Sequence, residues 1–123
     1  MPASTYLANK IIDHLLKGTA WTQPANLYAG LLSATPSTEL SGNGYSRIQA
    51  ESWDPAASGA SQNASIIEFP VATGDWLQAV AVAIYDASSG GNLLFYGNLT
   101  TPRTVTTGVK ASFAIGDFDV SIP

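Results

Sequence analysis

Residues Ala79 to Tyr85 read AVAVAIY, an unbroken apolar run of seven. No other feature limits the possible folds as sharply. The run is too short to cross a bilayer as a helix, which takes about 20 residues. In an extended backbone Val80, Val82 and Ile84 fall on one side, with Ala79, Ala81, Ala83 and Tyr85 on the other. A strand that is apolar on both sides must be covered on both. Trp76 to Asp86 is therefore predicted to be the longest strand and a central one, its small alanine face suited to close approach by a helix or second sheet.

Only one segment shows helical periodicity. Leu7, Ile11 and Leu15 recur at every fourth position, and Ala8, Ile12 and Leu16 extend the stripe. Ser4 or Thr5 can cap the start, Lys17 suits the negative end of the dipole, and Gly18 supplies a left-handed stop. A helix over 4–17 is predicted, its stripe covering the core of its own domain; docking on a neighbouring subunit is the alternative. Beyond Gly18 short strands alternate with turn residues. Asn26 to Ser33 reads as a strand broken by Thr35-Pro36-Ser37, and Ser41-Gly42-Asn43-Gly44 as a turn into Tyr45 to Ala50. Asp54 to Gln62 reads as a flexible loop. Asn63 to Phe69 is a strand ended by Pro70, and Ala87 to Asn92 is a hairpin loop into Leu93 to Tyr96. Strands near Arg103 to Val105 and Val109 to Ile115 precede a Gly116-Asp117 turn. Phe118, Val120 and Ile122 then alternate along a last strand. The pattern predicts a mainly β fold: an antiparallel β-sandwich over 26–122 with one N-terminal amphipathic helix, in a single domain spanning 1–123.

At 123 residues the chain is long enough to bury one core without staples. It has no cysteine, so disulfides and cysteine–zinc sites are excluded. The formal charge is −4, and the five basic residues, Lys10, Lys17, Arg47, Arg103 and Lys110, are scattered. No basic stripe exists to neutralise a phosphate backbone, so nucleic acid is not an expected partner. Charged residues make up only 11% of the chain, which leaves a neutral polar surface that a partner can cover at low desolvation cost. The opening Met1-Pro2-Ala3-Ser4-Thr5 lacks the basic start and apolar run of a secretory signal, so a soluble protein without a membrane partner is expected.

Candidate chemistry is sparse. His14, the single histidine, has Lys10 and Gly18 as its helical neighbours and no base-orienting partner among them. Asp117 and Asp119 lie two apart and could pair for calcium or acid–base work, but no DxDxDG loop surrounds them, and a turn Asp beside a solvent-facing Asp is the simpler reading. Gly90-Gly91 lacks the context of a phosphate cradle. Asn63-Ala64-Ser65 and Asn98-Leu99-Thr100 match the glycosylation pattern by chance. Trp21, Trp53 and Trp76 could form a sugar-stacking platform; Trp53 precedes the 54–62 loop and could be exposed, but Trp76 begins the central strand and is expected in the core. No catalytic, cofactor-binding or metal-ligating residue is assigned, and no enzyme is expected.

Six blocks carry a resemblance: YLANKIIDHLLKGTAW (6–21), NLYAGLLSATPS (26–37), GNGYSR (42–47), IIEFPVATGDW (66–76), AIYDASSGGNLLFYGNLTTPRTV (83–105) and FAIGDFDVSI (113–122). In this order they resemble a family of small tailed-bacteriophage virion proteins commonly labelled phage tail fibre protein. The resemblance implies a structural protein of the virion. Small β domains of this kind also serve as capsid cement or decoration proteins. The first expectation is thus a homo-oligomer, a trimer favoured, bound to the major capsid protein lattice. The alternative is a tail fibre or receptor-binding component that uses loops 54–62 and 87–92.

Overall fold

The structure, a computed structural model, describes residues 1–34, 38–76 and 78–122. The Thr35-Pro36-Ser37 break lies outside these. Helix α1 spans Thr5–Ile12 and continues as a π-helical turn over Asp13–Lys17, where Gly18 ends it at φ 68°. Ser4 roots it. Its Oγ accepts from the Leu7 N–H (3.2 Å) and donates to the Leu93 carbonyl (2.5 Å), while its own N–H donates to the Leu94 carbonyl (2.7 Å). The cap therefore ties the helix start to the sheet as well as satisfying the first turn.

Among the described residues nine strands follow: β1 Tyr28–Ala34, β2 Thr38–Glu39, β3 Ile48–Gln49, β4 Ala60–Gln62, β5 Ile67–Val71, β6 Ala79–Tyr85, β7 Leu93–Arg103, β8 Lys110–Phe113 and β9 Asp119–Ser121. The main sheet runs β2-β1-β6-β7, with β3 also on β1; β4-β9 and β5-β8 form two smaller sheets. All strand pairs are antiparallel. The first residues join two of the sheets, as Pro2 bridges Ser121 and Ala3 bridges Phe95. The fold is mainly β with antiparallel sheets and one N-terminal helix, as the sequence predicts.

The AVAVAIY run is central, flanked by β1 and β7. On one side Val82 and Ile84 join Leu31, Phe69, Phe113 and Phe118 in a core shared by the main sheet and the β5-β8 pair, the arrangement of a sandwich. The aromatic rings there meet edge to face, Phe69 with Phe113 at 6.0 Å and Phe113 with Phe118 at 5.1 Å. On the other side Ala81 and Ala83 are fully buried, but not by a helix or second sheet. Their cover is Leu32, Tyr85, Leu93 and Tyr96 from the same sheet.

Other expectations need correction, the first being length: β6 has seven residues, and β7, with eleven, is the longest strand among the described residues. Leu15 does not cover the core: Leu7 is buried and Ile11 packs on the core, but Leu15 is 72% exposed, because α1 packs on β7 and the Asp13–Lys17 turn buries nothing. The loop 54–62 is a hairpin, closed by paired hydrogen bonds between Ala57 and Ala60 (2.9 and 3.0 Å) around Ser58 and Gly59, both at positive φ. Pro70 sits inside β5 at a register irregularity, where no ladder N–H is needed. Tyr45 to Ala50 yields only the two-residue β3, since the Tyr45 ring turns into the core. Arg103 ends β7 and does not begin a new strand. Leu99 to Pro102 bulge out against the single residue Val80, because Pro102 cannot donate to the ladder.

Candidate functional site

Beneath the β7 bulge lies a cleft of about 620 Å3. Asn98, Thr100, Thr101, Arg103, Asp117 and Asp119 line it, over Val82 and Phe113. The two aspartates thus share a cleft, yet each is already engaged. Asp117 Oδ2 accepts the Ala114 N–H at 2.9 Å, closing the turn, and lies 4.0 Å from Arg103. Asp119 is 74% exposed, and its Oδ1 sits 3.6 Å from the Met1 amino nitrogen. Arg103 covers the Phe113 ring at 4.2 Å, so the aromatic floor is closed to a stacking ligand. Among the described residues no group of three or more His, Asp or Glu side chains is placed to hold a metal.

The other candidates are scattered. His14 Nδ1 accepts the Trp21 N–H at 3.3 Å on the exposed end of the helix, where it holds the returning chain. Trp76 is buried and donates from Nε1 to the Asn43 carbonyl (2.8 Å), Trp53 donates to the Ala50 carbonyl (2.8 Å), and Trp21 packs on the core. No three-tryptophan platform exists. Gly90 and Gly91 adopt positive φ in the hairpin loop. Asn63, read above as a chance glycosylation match, is 1% exposed and closed to modification. Its Nδ2 donates to the Ser65 and Ala114 carbonyls (2.8 and 3.1 Å), and its Oδ1 accepts from the Gly116 and Phe118 N–H groups (3.0 and 2.9 Å).

One cluster escapes the sequence reading altogether. Arg47 forks onto Glu39, Nη2 to Oε1 at 2.8 Å and Nε to Oε2 at 2.9 Å, and stacks 3.5 Å above the Tyr85 ring. Its Nη1 also donates to the Ala87 and Gly90 carbonyls (2.7 and 2.9 Å), pinning the 87–92 loop. Tyr45 donates to Glu39 Oε2 at 2.6 Å and accepts the Leu31 N–H at 3.0 Å. Burial, then the hydrogen bond to Glu39, holds the Tyr45 phenol above the ordinary tyrosine range; burial, then the Glu39 charge, does the same for Tyr85. Burial opposes the Arg47 charge, but its bonds and attraction to Glu39 outweigh that and raise its pKa. Everything fits beside Gly30, where a Cβ would meet Tyr85 at 2.9 Å. The block GNGYSR holds Tyr45 and Arg47, but nothing local in it points to Glu39 or Tyr85.

The two most exposed large apolar side chains stand together at the helix end, while Ile66, Val71, Val109, Ile115 and Ile122 are exposed elsewhere. Ile12, Leu15 and Leu16 are 52, 72 and 81% exposed. A separate apolar groove of about 180 Å3 is formed by Ala56, Gly59, Ala60, Phe95, Val120 and Ile122. Phe95 and Ile122 continue it into a crevice with Trp21 and Leu27 that has Glu51 on its rim.

A protein-family model described as podophage GP4 fiber I protein gp80 matches residues 2–121. No curated protein matches the chain.

Proposed function

Since the match takes in the helix and every strand, the chain belongs to the family described as podophage GP4 fiber I protein gp80, and from that premise we propose that it is a structural component of a podophage tail fibre. It works by shape and non-covalent contact and not by catalysis. The match over residues 2–121 is the observation that carries this reading. The geometry agrees with it. Asp117 and Asp119 are engaged by a turn and by cations, and His14 is engaged by the backbone, so these three residues do not form a nucleophile–base pair with one another.

The family description favours the tail-fibre alternative over the capsid-lattice expectation, which has no specific observation behind it. The 54–62 hairpin and the 87–92 loop remain the proposed contact surfaces. Both are held by internal hydrogen bonds, so contact through them loses little ordering entropy. Antibody labelling of intact particles tests the proposal. Label confined to the tail, at a few copies per particle, is the expected result. Label spread over the whole shell, at an abundance comparable to the major capsid protein, overturns it in favour of the cement reading.

A further inference from the structure

The helix end is a poor surface to leave in water. Two leucines and an isoleucine are exposed within five residues, Ile12, Leu15 and Leu16, while most of the chain's large apolar side chains are covered. Nor is the segment a frayed end. Ser4 ties its root to β7, and after Gly18 the chain returns, with the Thr19 N–H donating to the Asp13 carbonyl (3.2 Å) and the Trp21 N–H to His14. Trp21 then packs on the core. The apolar tip is therefore presented in a fixed position, so covering it costs little ordering entropy.

Charge identifies what fits it. Among the described residues Arg47, Arg103 and Lys110 each face a carboxylate, Glu39, Asp117 and Glu68 respectively. Lys10 and Lys17, both on the helix, face none; Lys10 lies over the Tyr6 ring. The remainder of the chain carries eight of the nine acids. With Asp13 counted, the helix carries a net +1 and the rest of the chain −5, so an apolar, weakly basic tip stands on an acidic body. The body offers an apolar groove of matching kind, with no Lys or Arg in its lining; Glu51 lines the crevice that continues it, and the exposed Asp54 lies outside the lining, its N–H donating to the Gln62 carbonyl next to the lining residue Ser61. The groove volume of about 180 Å3 is comparable to the roughly 150 Å3 apolar cavity that takes a benzene-sized guest, enough for an aliphatic side chain.

We propose that the helix tip of one copy, Leu15 and Leu16, seats in the Ala60–Phe95–Ile122 groove of a second copy of this chain. Lys10 and Lys17 flank the tip while Glu51 borders the crevice that continues the groove, so charge favours tip-to-groove over tip-to-tip seating, and the contact is heterologous. A heterologous contact between identical chains closes into a ring when its rotation allows. The inference does not depend on whether the protein sits on tail or shell.

Three variants test it by sedimentation of the whole chain. Wild-type protein is expected to form a concentration-dependent closed oligomer. Leu15→Glu with Leu16→Glu, on the tip, and Ala60→Arg, in the groove at an exposed position, are each expected to weaken it by roughly 30-fold or more, as loss of a central apolar hot spot does. Each should keep the wild-type melting behaviour of the monomer; if Ala60→Arg does not, Ile122→Arg replaces it. The deciding step is mixing. The tip variant keeps its groove and the groove variant keeps its tip, so together they form a one-to-one dimer that neither forms alone. A wild-type chain that stays monomeric, variants that assemble like wild type, or a mixture that yields no dimer each overturns the proposal.

Discussion

Asn63 is a polar side chain on which much of the architecture depends. One buried amide satisfies two carbonyls and two N–H groups, and all but the Ser65 carbonyl lie on the Ala114 to Phe118 segment. That segment sets the turn between β8 and β9, and with it Phe118, which is fully buried. Truncation strands these groups away from water. Asn63→Ala is expected to cost about 2–4 kcal/mol, more than one lost hydrogen bond, because each buried orphan costs ~1–3 kcal/mol unless water reaches it. Urea unfolding reads this as a lower midpoint at an unchanged slope; a midpoint within error of wild type would refute the role given to Asn63. The sequence shows Asn63 only as the start of an Asn-Ala-Ser triplet, because three of its four partners stand more than fifty positions away. Arg47 was hidden in the same way. Its neighbours in sequence are Ser46 and Ile48, whereas its contacts come from β2, β6 and the 87–92 loop. Arg47→Lys keeps the charge but not the planar fork. It is expected to release the 87–92 loop, read as faster amide exchange at residues 88–91 with the core amides unchanged.

At the scale of elements, the patterns that were legible are those set by local periodicity. The AVAVAIY run needed only its alternation and length to be read as central, and Ser4 and Gly18 bracket the helix by cap chemistry that acts within a few residues. What periodicity cannot tell is how far a sheet reaches. Leu7, Ile11 and Leu15 form one stripe, but the stripe outruns its support on β7, so its first two residues pack and its third does not. Leu7→Ala is therefore expected to cost about 2–4 kcal/mol, the usual loss for a buried leucine. Leu15→Ala is expected to change monomer stability by no more than about 0.5 kcal/mol. Thermal unfolding of the two variants at a concentration low enough to keep the chain monomeric checks the contrast; equal losses would show that Leu15 is packed after all. The 54–62 hairpin and the β7 bulge were missed for a further reason. Ser58-Gly59 is a weaker turn signal than Asn-Gly, and Pro102 conceals a strand that resumes after a bulge.

On the scale of the whole molecule, the Glu39–Arg47–Tyr45–Tyr85 cluster ties β2, the segment before β3, the end of β6 and the 87–92 loop into one side of the main sheet. That gives the protein an alkaline weak point. Both phenols are held above their ordinary range, Tyr45 by burial and its bond to Glu39, Tyr85 by burial and the Glu39 charge. In the unfolded chain each releases its proton near pH ~10. A group that binds its proton more tightly when folded adds stability that is complete below the unfolded pKa and is lost as pH rises above it. Stability is therefore expected to hold up to about pH 9 and then fall, at up to about 1.4 kcal/mol per pH unit for each of the two tyrosines. Tyr45→Phe separates this from general alkaline damage. It starts less stable, since the Leu31 N–H and Glu39 each lose a partner. Its slope above pH ~10 should be shallower than wild type by one proton's worth, because a phenyl ring has no proton to lose. Urea midpoints measured from about pH 8 to pH 11 give both slopes. Parallel curves for the two proteins would mean that Tyr45 ionises in the folded state as freely as in the unfolded one, and that the cluster does not hold its proton.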